Sequence, residues 1–173
     1  MGGNLKDTYF KLKEYAKSNN KIISFDANYR ESLFGNNKEE FIKCCKEFIV
    51  DSNIVKLSEE EAKLISGIED IKEASQYIVN LGCENLMVTL GKEGTLLSNR
   101  EKQILIKTKE VKMKDATGAG DAFIGAVIAQ ILNEPGKSME KIVEMANLVG
   151  GITTTKLGAL ESIPTWDEVF AYN

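Results

Sequence analysis

NIVKLSEEEAKLISGIEDIKEASQYIVNLGCENLMVTL, residues 53–90, reads as strand, two helices and strand. Asn53–Leu57 is a short β-rich run. Ser58–Ile65 and Ile71–Leu81 carry helical spacing and are separated near Gly67. Asn85–Leu90 closes the unit with LMVTL, apolar enough for a strand covered on both faces. Two strands joined through helices predict parallel pairing, because such strands need a long crossover.

The alternation continues on both sides. Leu5–Ser18 reads as an amphipathic helix, with Leu5, Tyr9, Leu12, Tyr15 and Ala16 near one face. Lys21–Phe25 is the first strand, and Lys38–Val50 a helix with Phe41, Cys44, Cys45 and Phe48 on one stripe. Gly94–Ser98 and Gln103–Lys107 form an antiparallel pair around Asn99-Arg100-Glu101. Gly118–Leu132 is a long apolar helix, stopped near Pro135. Met139–Thr155 is another, and Thr165 with Glu168 in capping-box spacing begins the last. The expected fold class is α/β, three-layer α/β/α, with a mainly parallel sheet and flanking helices. No repeat or linker divides residues 1–173, so one domain is expected. In such folds ligands lie beyond the carboxyl ends of the strands. Asp26, Asn28 and Arg30 follow the first strand there, Ser58 and Glu61 the second, Gly91 and Gly94 the third.

Composition narrows the chemistry. At 173 residues the chain can bury a real core, and its 43% hydrophobic and 28% charged content is ordinary for a globular protein. A net charge of -4 without a basic run argues against nucleic acid or an anionic membrane as partner. No apolar run reaches the ~20 residues of a membrane span, and the N-terminus lacks a signal-peptide pattern. Cys44, Cys45 and Cys83 form no CxxC pair, so reduced thiols, a cytoplasmic home and no zinc site are expected. Histidine is absent, which removes Ser-His-Asp and Cys-His catalysis. Proton transfer falls to Asp, Glu, Lys, Tyr or Cys.

DATGAGDAF, residues 115–123, carries the most chemistry. Gly118 and Gly120 free the backbone just before Asp121, and an apolar helix follows. A helix start offers unpaired N–H groups and a positive dipole end, so it attracts anions. A carboxylate there repels phosphate, unless Asp121 takes a proton from an incoming hydroxyl while neighbouring amides hold a phosphoryl charge. That combination points to phosphoryl transfer. The plainer reading is an acidic helix start that complements the dipole.

Other segments are ambiguous singly. Ser58 and Glu61 have capping-box spacing, although Glu61 can also orient a magnesium-bound water. Thr89-Leu90-Gly91-Lys92-Glu93-Gly94-Thr95 is a glycine turn, or a loop that lets a nucleotide approach the backbone. Asp26-Ala27-Asn28-Tyr29-Arg30 is an Asx turn closed by a salt bridge, or a polar cluster for a sugar hydroxyl or carboxylate. Leu148–Thr155 and the following Lys156-Leu157-Gly158-Ala159 read as a closely packed helix with its C-cap glycine.

Taken in order, these segments resemble the ribokinase-like, or phosphofructokinase B, carbohydrate kinases. DATGAGDAF is similar to that family's second signature. FDANYRESLF (25–34), VKLSEEEAKLISG (55–67), VTLGKEGTLL (88–97) and TTTKLGALESIPT (153–165) most resemble bacterial fructokinases. The resemblance implies that Asp121 is the catalytic base, and that the amides of Gly118, Ala119, Gly120 and Asp121 form an anion hole. It implies that Thr89, Gly91 and Gly94 line an ATP site, with Asn147 by the adenine and Ser58 beside the nucleotide. Glu61 would act on Mg2+ and phosphate, and Asn28 and Arg30 on the sugar. Asp115, Thr117, Thr153, Lys156, Gly158 and Ser162 match positions that hold a monovalent cation, K+, several through backbone carbonyls. Ser58 stands where many members have Asn, and Ala116 where Thr is common.

The resemblance also implies that residues 1–173 are the C-terminal, nucleotide-binding part of a sugar kinase, without the N-terminal substrate half and its lid. A free sheet edge and apolar helix faces follow, and with them a homodimer or a partner supplying the other half. The expected reaction is transfer of the ATP γ-phosphoryl group to a primary hydroxyl of a small sugar, most like fructose. The alternatives are kinases for 2-keto-3-deoxygluconate, ribose or a nucleoside, and a non-catalytic ATP- or ADP-binding module. A dinucleotide oxidoreductase is disfavoured, because no GxGxxG follows the first strand.

Overall fold

The computed structural model describes residues 3–30 and 37–172. They form two compact units, 1–89 with 96–104, and 90–95 with 105–173. The first contains α1 (Gly3–Ser18), β1 (Ser24–Asp26), α2 (Lys38–Ile49), β2 (Ile54–Ser58), α3 (Glu59–Ser66), α4 (Ile71–Asn80) and β3 (Asn85–Thr89). The hairpin strands β4 (Thr95–Ser98) and β5 (Gln103–Ile106) complete a five-stranded sheet in the order β1-β2-β3-β4-β5.

β1 and β2 pair in parallel, with Asp26 opposite Lys56. β2 and β3 also pair in parallel, with Ser58 opposite Thr89. Their carboxyl ends therefore lie on one side of the sheet. β2 and β3 are covered on both faces, and Val55, Leu57, Leu86, Met87 and Val88 are wholly buried. Helices α2, α3 and α4 supply Phe41, Cys45, Ile49, Ala62, Ile65, Ile78 and Val79 to the same core. The α/β class, the parallel sheet and the flanking helices are as the sequence predicts, with ends displaced by a few residues.

Local chemistry explains the boundaries. Asp70 caps α4 by accepting the N–H groups of Lys72 and Glu73 at 2.9 Å each. Gly67 ends α3 in the left-handed conformation at φ 74°. Asn99 closes the hairpin, its N–H donating to the Lys102 carbonyl at 2.9 Å.

α1 departs from expectation. Leu5, Tyr9, Leu12 and Tyr15 face solvent, between 44% and 64% exposed. The packed face is the neighbouring one, Lys6, Phe10, Lys13 and Lys17. Phe10 meets Phe48 of α2 at 4.6 Å between ring centroids. Lys6 pairs with Glu40, and Lys17 with Asp51 at 2.7 Å. Lys13 donates to the Glu47 carbonyl, with its stem buried along α2.

The second unit holds α5 (Ala119–Asn133), α6 (Met139–Thr153), a short 3-10 turn (Leu160–Ser162) and α7 (Trp166–Ala171). Phe123, Val127, Ile142, Val143, Ala146 and Ile152 form its core. Buried Gln130 ties α5 to α6, donating from Nε2 to the carbonyls of Ala126 and Ile142, both at 3.1 Å. At Gly150 a Cβ would stand 3.3 Å from the Ala119 carbonyl oxygen, so this glycine lets α6 approach the first turn of α5 closely. α6 is capped by Thr154, not by a glycine; Gly158 sits beyond it at φ 90°. Among the described residues no helix is long and apolar enough to cross a membrane.

Candidate functional site

In the first unit, the polar residues gather at the carboxyl ends of β1 and β2. The Asn28 N–H, two residues on, favours the charged form of the Asp26 carboxylate, though less than Lys56 does. Its ion pair comes from Lys56 on β2, at 3.2 Å, and not from Arg30. Both partners are largely buried, with side-chain exposures of 9% for Lys56 and 17% for Asp26. Burial pushes the Asp26 carboxyl up, and the Lys56 ammonium opposes that shift without cancelling it. Lys56 was not among the residues the sequence singled out. The signal was a charge inside the apolar run IVKL. Arg30 is exposed, and its guanidinium donates to the Tyr29 carbonyl at 3.0 Å. Asn28 is exposed at φ 44°. Residues 31–34 of FDANYRESLF lie outside the described residues.

Glu61 is buried and tightly held. Its Oε2 accepts the Ser58 N–H at 2.7 Å, and the Ser58 hydroxyl accepts the Glu61 N–H at 3.2 Å. This is a complete capping box on α3. Oε1 accepts the Tyr29 N–H at 2.6 Å, which joins the loop after β1 to α3. Each oxygen retains a second lone pair, so the donor set suits a water on a hard cation, not an inner-sphere cage. Thr89, at the end of β3, donates to the Leu57 carbonyl at 3.3 Å.

In the second unit, Gly118 is the N-cap of α5, left-handed at φ 80° and ψ -5°. A Cβ there would also crowd Ala159 at 3.2 Å, so glycine is required on two counts. The Ala119 N–H bonds to the Ala116 carbonyl at 3.2 Å, and Ala122 to Gly118 makes the next bond at 2.8 Å. The amides of Gly118, Gly120 and Asp121 thus lie at the open start of the helix. Asp121 is the third residue of α5, and it is exposed.

The loops around this helix start are fastened by Asp115. Its Oδ1 accepts the Thr117 N–H at 2.9 Å and the Thr117 hydroxyl at 2.7 Å, while Oδ2 accepts the Gly158 N–H at 3.1 Å. These donors hold its carboxyl below the usual range, the Thr117 hydroxyl first. Lys114 and Asp115 both donate their N–H to the Thr154 carbonyl. Ser162 donates to the carbonyls of Gly158 and Ala159, Thr153 to Val149, and Lys156 pairs with Glu168 at 2.7 Å. All six residues expected at a monovalent cation lie in this second unit. The side chains of Asp115, Thr117, Thr153, Lys156 and Ser162 are all engaged with the protein, and Gly158 has only its backbone to offer.

Gly91 and Gly94 flank a 3-10 turn, Gly91–Glu93. Gly91 is exposed, and nothing stands within 4 Å of where its Cβ would be. Gly94 is buried, and its Cβ would fall 2.1 Å from the Ile106 carbonyl oxygen. Asn147, expected by an adenine, is a buried tie. Its Oδ1 accepts the Thr95 hydroxyl at 2.6 Å, and its Nδ2 donates to the Ile106 carbonyl at 2.9 Å. Among the described residues no three His, Cys, Asp or Glu side chains form a metal cluster. A cavity of about 750 Å3 lies at the opposite strand ends, lined by Lys17, Asn53, Cys83 and Arg100, and holds none of the expected residues.

The pfkB family carbohydrate kinase pattern matches residues 2–166. The chain belongs to the pfkB family of carbohydrate kinases. It is 34% identical to fructokinase-1 of Oryza sativa subsp. japonica over 95% of its length, which is 52% of that relative. The chain therefore spans about half the length of the curated relatives it matches. Among solved structures it resembles a double mutant of fructokinase from Vibrio cholerae O395, bound to fructose, ADP and potassium ion. There the TM-score is 0.90 at 29% identity, over 96% of this chain and 55% of that one. An Escherichia coli protein assigned as ribokinase II, in complex with ATP and Mg2+, superposes with a TM-score of 0.86 at 25% identity, over 99% of this chain and 55% of that one. Membership of the pfkB family rests on nearly the whole chain, so it covers both units.

Proposed function

We propose that the kinase to which this chain belongs transfers the γ-phosphoryl group of ATP to a primary hydroxyl of a sugar, with fructose as the leading acceptor. The observation that carries this reading is the exposed Asp121 carboxylate on the first turn of α5, beside the open amides that follow left-handed Gly118.

Asp121 takes the hydroxyl proton as the sugar oxygen attacks the γ-phosphorus. The new O–P bond forms, the bond to the β-bridging oxygen breaks, and ADP leaves. The amides of Gly118, Gly120 and Asp121 receive the charge that develops on the transferring group, while the Ala119 N–H, expected beside them, is held by the Ala116 carbonyl. Thr89, Gly91, Gly94, Asn147 and Ser58 serve the nucleotide, and Asn28 and Arg30 the sugar. Glu61, fixed by two backbone donors, would hold Mg2+ through a bound water. Bound with ATP, Mg2+ would supply positive charge against the phosphate oxygens. Asp115, Thr117, Thr153, Lys156, Gly158 and Ser162 shape a loop whose carbonyls suit K+. The fructose- and ADP-bound Vibrio structure, which also holds potassium ion, supports this assignment of ligands.

The half-length match to relatives favours a second reading, an ATP- or ADP-binding module without turnover. The test is ADP release by the purified chain with Mg-ATP, potassium and fructose, with Asp121→Asn as the blank. Transfer that falls at least 100-fold in that variant, with ATP affinity within a few-fold, is the expected result. Nucleotide binding by calorimetry without turnover selects the module. Asp121→Asn turnover near the parent rate refutes the base assignment. Ribose, 2-keto-3-deoxygluconate and adenosine as acceptors give the sugar preference directly.

A further inference from the structure

Lys56 is a charged side chain in the otherwise apolar run of β2, and it is buried there with Val55 and Leu57 on either side. A buried ammonium loses its hydration, and an ion pair in such a place stabilises a fold little when compared with an apolar replacement. The reason for the charge lies in what it fixes. Parallel register sets Lys56 opposite Asp26, and Nζ reaches both carboxylate oxygens, at 3.3 and 3.2 Å.

The loop after Asp26 is fastened a second time at Tyr29. The Tyr29 N–H donates to Glu61 Oε1 at 2.6 Å, and the ring packs on Phe41 of α2 at 4.6 Å between centroids. Only Ala27 and Asn28 lie between the two ties, and Arg30 follows directly. The ties therefore set where both proposed sugar residues stand. The second tie depends on the first. Glu61 is buried, and among the described residues it has no ion pair; the N–H groups of Ser58 and Tyr29 hold its oxygens. The Lys56 ammonium favours the charged form of Asp26, and the Glu61 charge works against it. Two buried carboxylates thus share one neighbourhood, and Lys56 is the cation that compensates them. Without it, their repulsion is relieved by displacing Asp26, and with Asp26 the loop that donates to Glu61.

We infer that Lys56 is a positioning residue: its ammonium pins Asp26 near Glu61, so that the loop 27–30 stays docked on the carboxylate that would hold Mg2+ through a water. It joins the acceptor side of the site to the metal side without any contact of its own to a ligand. The inference rests on the proposed reading of Glu61, and its test separates the two.

Two readouts are taken on the purified chain. Lys56→Met removes the charge and suits an apolar strand, and Lys56→Gln is a second neutral variant should the first not fold. In either, the Tyr29 amide should exchange with solvent at least about tenfold faster by NMR, while the amides of β3 exchange as in the parent. In calorimetry the affinity for Mg-ATP should fall about tenfold, and that for ATP in EDTA should stay within about twofold. The double variant Lys56→Met/Asp26→Asn no longer buries an uncompensated carboxylate, and both readouts should recover to within about twofold of the parent. Unchanged Tyr29 exchange overturns the inference. So does an equal loss of Mg-ATP and metal-free ATP affinity, or a double variant that fails to recover. A parent chain that binds no Mg-ATP refutes the kinase reading instead, and the Tyr29 exchange then decides the positioning role by itself.

Discussion

Gly94 shows how one residue can be required for two separate reasons. Its φ of 104° disfavours any side chain, and a Cβ would fall 2.1 Å from the Ile106 carbonyl oxygen, which is backbone and cannot swing away. Gly94→Ala should therefore cost more than about 3 kcal/mol or prevent folding, as urea unfolding would show. A cost below 1 kcal/mol would refute that account. Asp115 illustrates a charge whose role depends on pH. The Thr117 hydroxyl, the Thr117 N–H and the Gly158 N–H hold its folded carboxyl below the ordinary value. A depressed carboxyl stabilises the fold above its unfolded value near ~3.9, and that contribution is lost as pH falls through the lower folded value. The stability gap between the parent and Asp115→Asn should thus be constant from pH 5 to 8 and close below about pH 4. A gap that widens in acid would reverse the assignment.

At the scale of the element, α3 is fastened at its start by a complete capping box. Removal of the Ser58 hydroxyl leaves the Glu61 N–H without its acceptor, so Ser58→Ala should destabilise by about 1 kcal/mol in denaturant titration. It should also loosen the Glu61 carboxylate and weaken Mg-ATP binding several-fold in calorimetry. Intact nucleotide affinity alongside lost stability would leave the box a cap alone. α5 and α6 show a different device. Gly150 brings α6 against the Ala119 carbonyl, and the close approach fixes the helix start that carries Asp121. Glycine here is a matter of contact distance, not of backbone angle.

At the scale of the whole molecule, ligand linkage tests the proposed function without any need for turnover. A nucleotide that binds only the folded chain stabilises it by RT ln(1 + [L]/Kd), about 2.7 kcal/mol at 100 times Kd. Mg-ATP should raise the melting temperature of both the parent and Asp121→Asn, because the proposed base acts on the acceptor. NADH should leave it unchanged. Stabilisation by NADH and not by Mg-ATP would overturn the kinase reading.

Much of this was readable from residues 53–90 and 115–123. Hydrophobic period, capping spacing and glycines before an apolar helix are local signals, so the strands, the helices, the α3 cap and the open start of α5 follow from sequence alone. Packing partners are not local. Periodicity identified an apolar stripe on α1, but the tertiary structure packed Phe10 and Lys13 instead, because α2 offers Glu40 and Phe48 on that flank and Asp51 follows just beyond its end. The sequence suggested a salt bridge within Asp26–Arg30, whereas parallel register set Lys56 opposite Asp26. The resemblance put Asn147 beside a nucleotide, but its ties to Thr95 and Ile106 became visible only in the fold. A sequence determines which segments form and what chemistry they carry. Which side chains meet depends on contacts between distant segments, and only the folded chain brings those together.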